Sequence, residues 1–469
     1  MQEFITAESF KNYNMIKQIL HLPETNNFFE NININQFFNN NKLLESYKKF
    51  KKISNMHNSK IRIINKKINK FDPNSIELYE ILNTIDGLNN KTSSIYNNYI
   101  NFNTHSVYDI KYPIKKELDE YKLNDLYFKI NFFYNNKNVN DDIISSILQR
   151  FNYILNYNDD DRMKLITIAL QKTNNSYISI YFLLYNLNRY TPTKVQNSIS
   201  EINNLQNNGI YNCCSGYTSF YLSNNISKKS IVVTRIPEVL GLLTHELGHL
   251  LGYDFEVFLL SDKKFITSGI NNKQYTNKLL KKLPIDCNIN FSEAYNNTNT
   301  TIIHTICNSL ELSKLLKKDS YELFKKLFKI EILYSIYHSA KILYWLGYTS
   351  FADFFDNISP IIYTQTACLF EYTIIRSFIL LMLNDYIEEI MYEDYLTFKL
   401  VPEKIYNKFP SIKWTRLTDK VIDLIINNNT QQRKSYQIIF DKFIQLIKTD
   451  NKNYHNMEYF CIDWIKIKN

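Results

Sequence analysis

The chain has 469 residues, 55 Lys and Arg against 46 Asp and Glu, a formal net charge of +9 and 45% hydrophobic residues. That length supports two or three lobes around a sizeable core, and the charge is spread along the chain as a solvated Lys-rich surface, so no nucleic-acid partner is expected. The opening MQEFITAESFKNYNMIKQ lacks the basic-then-apolar pattern of a signal peptide, and the most apolar stretch, Thr373–Ile387, carries Arg376, Asn384 and Asp385 and is too short and too charged to span a membrane.

Residues 1–170 read as a helical, Asn-rich N-terminal region, with connectors such as Asn26-Asn27, Asn39-Asn40-Asn41 and Asn135-Asn136 between helical patterns. Lys42–Asn65 predicts a basic helix with a break near Asn55, and Asp141–Tyr157 an amphipathic one. No catalytic constellation falls here. The region suits a substrate-gripping lobe, a pro-region or an assembly module.

From residue 171 the pattern changes. Tyr177–Leu184 is β-branched and aromatic, which predicts a buried strand. Thr191-Pro192 opens a helix to Leu205, Asn208-Gly209 turns the chain, and Tyr217–Leu222 alternates as a strand. Asn224-Asn225 turns again and Ser230–Thr234 gives another strand.

Next comes Leu243-Thr244-His245-Glu246-Leu247-Gly248-His249-Leu250-Leu251-Gly252, an H-E-x-x-H motif in an apolar helical stretch. Residues four apart share a helical face, so His245 and His249 can present two imidazoles to one zinc ion, with Glu246 beside them to take a proton from an attacking water. With 8 histidines in the chain, the motif has chance odds of about 1%. Pro237 and Glu238 suit a helix's first turn and Gly252 its stop. Val239, Leu240, Leu242, Leu243, Leu247, Leu250 and Leu251 bury the helix almost all round, and polar groups on such a helix need partners. A core helix whose histidines are simply hydrogen-bonded is the alternative. Six of the eight glycines lie between Gly209 and Gly269, and Gly241 and Gly248, inside the helix, imply close backbone approach.

The six cysteines, Cys213, Cys214, Cys287, Cys307, Cys368 and Cys461, show neither zinc-finger spacing nor a disulfide framework. An intracellular compartment, or a particle assembled in one, is expected. Beyond Phe291 the chain is helical and rich in Tyr and Phe, with long apolar-periodic runs at Tyr321–Leu346 and Thr364–Tyr395.

The order strand, helix, strands, H-E-x-x-H helix resembles the zincin metallopeptidases over residues 171–345. The resemblance implies an α+β, mostly helical fold: a small sheet over an active-site helix and a helical lower lobe. The N-terminal region then spans 1–170, the zincin-like core 171–345 and a helical C-terminal region 346–469. Zinc is the implied cofactor, a protein or peptide the implied substrate, and Glu246 the implied general base. Tyr217–Leu222 would be the edge strand that pairs with extended substrate; an ordinary hairpin is the alternative.

A catalytic zinc takes three protein ligands. The metzincin pattern puts the third six residues after the second His, where this chain has Phe255, with Asp254 one short. The gluzincin pattern puts a Glu on a later helix. Asn290-Phe291-Ser292-Glu293-Ala294-Tyr295-Asn296-Asn297 resembles it, with Asn290 or Ser292 as cap and Glu293 as ligand. In relatives an Asp four residues later orients the first His; here that position is Asn297, a departure. Glu256, past Gly252, is the third candidate. Gluzincins also face the oxyanion with a His or Tyr from the helical lobe, which points to His338, then Tyr337 and His304, with His304 about three helical turns past Glu293; histidines simply satisfied in the core are the alternative. The implied activity is that of a zinc endopeptidase. A structural or assembly protein that retains the fold with impaired catalysis stands beside it, as does a helical interaction protein with an accidental motif.

Overall fold

The computed structural model describes residues 7–55, 61–70, 102–114, 123–158, 160–172, 177–185, 216–218, 230–253, 256–260, 265–268, 272–357, 361–363, 368–389, 400–401, 412–427 and 429–449. Four helices open the chain: α1 (Ala7–Leu20), α2 (Pro23–Asn31), α3 (Ile34–Phe38) and α4 (Asn41–Asn55). Pro23 sits where a helix start loses nothing by a missing N–H, and Asn33, at φ 51°, takes the left-handed turn into α3. Strands β1 (Arg62–Lys70), β2 (Thr104–Tyr112) and β3 (Leu126–Tyr134) follow, then α5 (Asp141–Tyr157), α6 (Asp160–Lys172), β4 (Tyr177–Leu184), β5 (Gly216–Thr218) and β6 (Ser230–Thr234).

The H-E-x-x-H helix is α7 (Val239–Leu250). After it come β7 (Glu256–Leu260), β8 (Phe265–Ser268), α8 (Asn272–Leu280) and two long helices, α9 (Phe291–Leu316) and α10 (Ser320–Leu346). The chain continues through α11 (Phe351–Phe355), a π-helix at Phe370–Ile375, α12 (Arg376–Leu380), α13 (Leu383–Glu389), β9 (Leu400–Val401), α14 (Ile412–Ile426) and α15 (Gln431–Thr449). Among the described residues no helix is long and apolar enough to cross a membrane.

The fold is α+β and mostly helical, as the sequence implies. Several elements fall where their patterns place them: α5, β4, β6 and α10. Others do not. Three strands, β1 to β3, lie in the stretch read as helical. The predicted Lys42–Asn65 helix ends at Asn55, and its last four residues belong to β1. The Thr364–Tyr395 run is broken into the π-helix, α12 and α13. The helix predicted from Thr191, the Asn208-Gly209 turn and positions 219–222 lie outside the described residues.

One six-stranded mixed sheet has the order β1-β2-β3-β4-β6-β5, and β7 joins β8 and β9 in a second, three-stranded sheet. In the large sheet β3, β4 and β6 run parallel, while β1–β2, β2–β3 and β5–β6 pair antiparallel. One face of the parallel strands is packed under α5: Phe132 stacks on Phe182 of the neighbouring strand at 4.8 Å, and Phe128 on the same face meets Phe151 of α5 edge-on at 5.0 Å. The sheet draws strands from both sides of residue 170.

The helical lobe is built on the α9–α10 hairpin. Lys317, at φ 50°, ends α9, and the Asp319 carboxylate accepts from Tyr321 N and Glu322 N at 3.0 and 2.9 Å to start α10. From Ile330 to Leu343 every residue of α10 is buried, because α1, α9, α12, α15 and the π-helix all pack on it. This consumes the Tyr- and Phe-rich composition: the rings are core.

Candidate metal centre

β6 delivers the chain into α7 through a strained turn. Arg235 has φ 68°, rare for a long side chain, and is held there by its N–H to Leu183 O at 3.1 Å. At the far end Gly252, also at φ 68°, completes a Schellman motif, with Gly252 N–H to His249 O at 3.1 Å and Tyr253 N–H to Gly248 O at 2.9 Å. The Arg162 guanidinium of α6 donates to Leu251 O at 2.8 Å, so the carbonyl end of α7 carries a fixed cation. α7 is therefore pinned at both ends.

His245, Glu246 and His249 are all buried. Facing them is the first turn of α9. Asn290 caps it, accepting from Ser292 N at 3.2 Å, which settles the sequence's choice between Asn290 and Ser292. Glu293 stands on that turn. The two helices approach closely at Gly248, where a Cβ would lie 2.1 Å from Asn296 Oδ1. Asn296 Nδ2 donates to His245 O at 3.0 Å, which locks the crossing. Gly241 differs from its sequence reading: a Cβ there would meet the His304 ring at 3.7 Å (Cε1) and 3.8 Å (Nε2), both ordinary contacts.

Three ligand-type atoms converge. His245 Nε2 and His249 Nε2 are 3.1 Å apart, and Glu293 Oε2 lies 3.4 Å from the first and 3.3 Å from the second. A tetrahedral ion with bonds of about 2.0–2.1 Å separates its ligands by about 3.3 Å. The triangle fits such an ion, and two imidazoles with one carboxylate form a donor set that zinc accepts. Burial opposes ionisation of Glu293, but the two imidazoles outweigh it and hold the carboxyl well below its usual range. The sequence's third ligand is thus brought to the two histidines. Asp254 lies outside the described residues, and Glu256 opens β7.

Glu246 sits within electrostatic reach of all three. Burial pushes its carboxyl up, against the pull of the two histidines and of Thr218. Thr218 Oγ1 lies 2.5 Å from Glu246 Oε2 and 3.1 Å from its backbone oxygen. A Cβ on Gly216 would lie 2.3 Å from Glu246 Oε1. Both residues belong to β5, the last strand of the sheet, so the edge of the sheet sets the carboxylate's position.

The remaining sequence-derived residues go elsewhere. His338 packs its ring on Tyr334 at 4.3 Å. Tyr337 OH donates to Asn12 Oδ1 at 3.4 Å, with Phe443 at 5.4 Å. Tyr337 thus faces α1 and α15, which pack on that side of α10. His304 accepts from Arg150 Nη1 at 2.8 Å, and burial together with that cation holds it well below its ordinary value. The aromatic hydroxyl beside the metal triangle is instead that of Tyr372, on the π-helix. It donates to Glu293 Oε2 at 3.1 Å, and its ring meets His245 edge-on at 5.5 Å. Asn297 does not reach His245. Its Nδ2 donates to Tyr372 O at 3.3 Å, and His245 Nδ1 is buried without a partner among the described residues.

No family model matches the chain, and no solved structure matches it. An uncharacterised protein of Acanthamoeba polyphaga mimivirus is 27% identical over 163 residues, 34% of this chain and 38% of that protein. The chain thus covers well under half of that relative's length.

Proposed function

We propose that the chain is a zinc-dependent endopeptidase of gluzincin type. The observation that carries this reading is the triangle of His245 Nε2, His249 Nε2 and Glu293 Oε2, with edges of 3.1–3.4 Å and a buried carboxylate beside it. A zinc ion held by these three residues supplies Lewis acidity to a scissile carbonyl and makes water a better nucleophile at neutral pH. Glu246 accepts the proton of the attacking water and returns it to the leaving amine. Thr218 fixes which way that carboxylate points, and Gly216 leaves room for it.

What supports a peptide substrate is the sheet. Among the described residues β5 is outermost in the strand order and runs antiparallel to β6, packed on α7. An extended chain laid along β5 would pass over Glu246 and the metal ligands, and backbone pairing would supply affinity without demanding a sequence. One observation favours a second reading, an assembly protein that retains the site with impaired catalysis. Asn297 bonds to Tyr372 O rather than to the first histidine, so that imidazole lacks the carboxylate that raises ligand basicity.

Zinc content and activity of Glu246→Gln separate the readings. The endopeptidase reading expects one zinc per chain in both proteins. It also expects cleavage of a peptide library by the wild type, reduced about 100- to 10,000-fold in the variant. A wild type that binds zinc and cleaves nothing would favour assembly. A wild type that binds no zinc would end both.

A further inference from the structure

We propose that the π-helix is a clamp for the metal ligand Glu293, with Tyr372 and Glu371 as its positioning residues; the inference rests on the metal-site reading above. The argument starts from one face of α9. Positions 290, 293, 297 and 301 follow each other at spacings of three, four and four, which puts them in one stripe.

Each of the four is held from the same short segment. Asn290 N–H donates to Glu371 Oε1 at 2.7 Å, and Tyr372 OH donates to Glu293 Oε2 at 3.1 Å. Asn297 Nδ2 donates to Tyr372 O at 3.3 Å, and Arg376 Nη1 donates to Thr301 Oγ1 at 3.3 Å. Three of these contacts come from the adjacent residues Glu371 and Tyr372, both within the π-helix.

The chemistry of the contacts shows what they are for. Glu371 is fully buried and caps a backbone amide at the start of α9, where the helix dipole favours a carboxylate. It therefore fixes the turn that carries Glu293. Tyr372 then takes the ligand oxygen itself, the same Oε2 that faces both imidazoles. A free Glu side chain samples several rotamers, and a metal ion would have to order it; a side chain already held does not lose that entropy on binding. A π-turn is an uncommon break in a helix and tends to persist where a side chain must be re-aimed. Here it aims Tyr372 at Glu293 and turns the Tyr372 carbonyl to Asn297. The carboxylate ligand thus has an outer hydrogen bond of its own, and Asn297 serves the clamp.

Zinc affinity, measured by chelator competition, and the visible spectrum of the Co(II)-loaded protein test the clamp. Tyr372→Phe deletes one hydroxyl. It is expected to weaken zinc binding about 10- to 100-fold, to alter the Co(II) bands and to leave the thermal midpoint of the metal-free protein unchanged. Glu371→Leu should weaken binding comparably, and Glu371→Gln, which keeps an acceptor for Asn290 N–H, should restore it. Wild-type affinity with an unchanged Co(II) spectrum in Tyr372→Phe would overturn the proposal, even where Glu371→Leu fails to fold. Loss of zinc binding in the wild type itself would instead overturn the metal-site reading, and the clamp with it.

Discussion

At position 216 the backbone comes so close to Glu246 that only hydrogen fits between them. Gly216→Ala would put a methyl carbon 2.3 Å from Oε1 and 2.9 Å from Cδ. The carboxylate is the movable partner, so it would swing away while the fold and the three ligands stay. On the endopeptidase proposal, activity is expected to fall about 100-fold or more with zinc stoichiometry unchanged, because a base displaced by about 1 Å loses much of its effect. Equal activity in Gly216→Ala would show that the Glu246 position seen here is not the working one. The sequence marks position 216 only as a loop glycine. It marks His245, Glu246 and His249 clearly, because they share one helix at local spacing, and it offers Glu293 through the gluzincin resemblance as one of three candidates for a third ligand. Tyr372 could not be found that way. It reaches Glu293 from 79 residues downstream, on a π-turn, and no periodic pattern announces it among so many core tyrosines.

At the level of elements, the crossing of α7 on α9 depends on one glycine and not on the other. Gly248→Ala drives a methyl into Asn296 Oδ1 at 2.1 Å and towards Thr300 Cγ2 at 3.0 Å. Overpacking of this kind costs about 1–3 kcal/mol, and the bond from Asn296 to His245 O is strained with it. Gly241→Ala meets nothing closer than 3.7 Å and should stabilise by about 1 kcal/mol through helix propensity. Chemical denaturation of the two variants should therefore give shifts of opposite sign; shifts of the same sign would mean that the helix crossing is not as described. Elements differ in legibility for a related reason. β4 and β6 carry dense β-branched runs. β1, RIINKKINK, is exposed along nearly all its length and so has no alternation to read. β2 does alternate, at Tyr108, Ile110 and Tyr112; that signal was available and lay inside an Asn-rich stretch read as helical.

For the molecule as a whole, a buried carboxyl in the helical lobe sets a pH dependence. Glu331 of α10 is fully enclosed, and burial pushes its carboxyl up to about 7, against the opposing pull of the buried Arg376. Its folded value exceeds its unfolded one, so the folded state holds the proton more tightly. The stabilisation is complete below pH 4.5 and is lost as pH rises towards 7. A shift of this size corresponds to about 3 kcal/mol. Glu331→Gln should remove that slope, so its stability relative to wild type should increase between pH 5 and pH 8. Parallel stability curves for the two proteins in urea across that range would refute it.

The packing of α1 has a consequence for how the protein comes into being. α1 lies against α10 and α15, and Asn12 bonds to Tyr334 and Tyr337 more than three hundred residues later. Met15, Ile16 and Ile19 are buried only in that setting. A ribosome makes α1 more than three hundred residues before the tyrosines that Asn12 bonds. Throughout most of translation this apolar face waits in the open, and the metal ligands of α7 wait with it for α9 and then for the π-helix. A nascent chain of this protein therefore carries that apolar face unpacked until α10 and α15 have emerged. The group of His245, His249 and Glu293 is complete only once α9 has been made, and its Tyr372 contact only once the π-helix has followed.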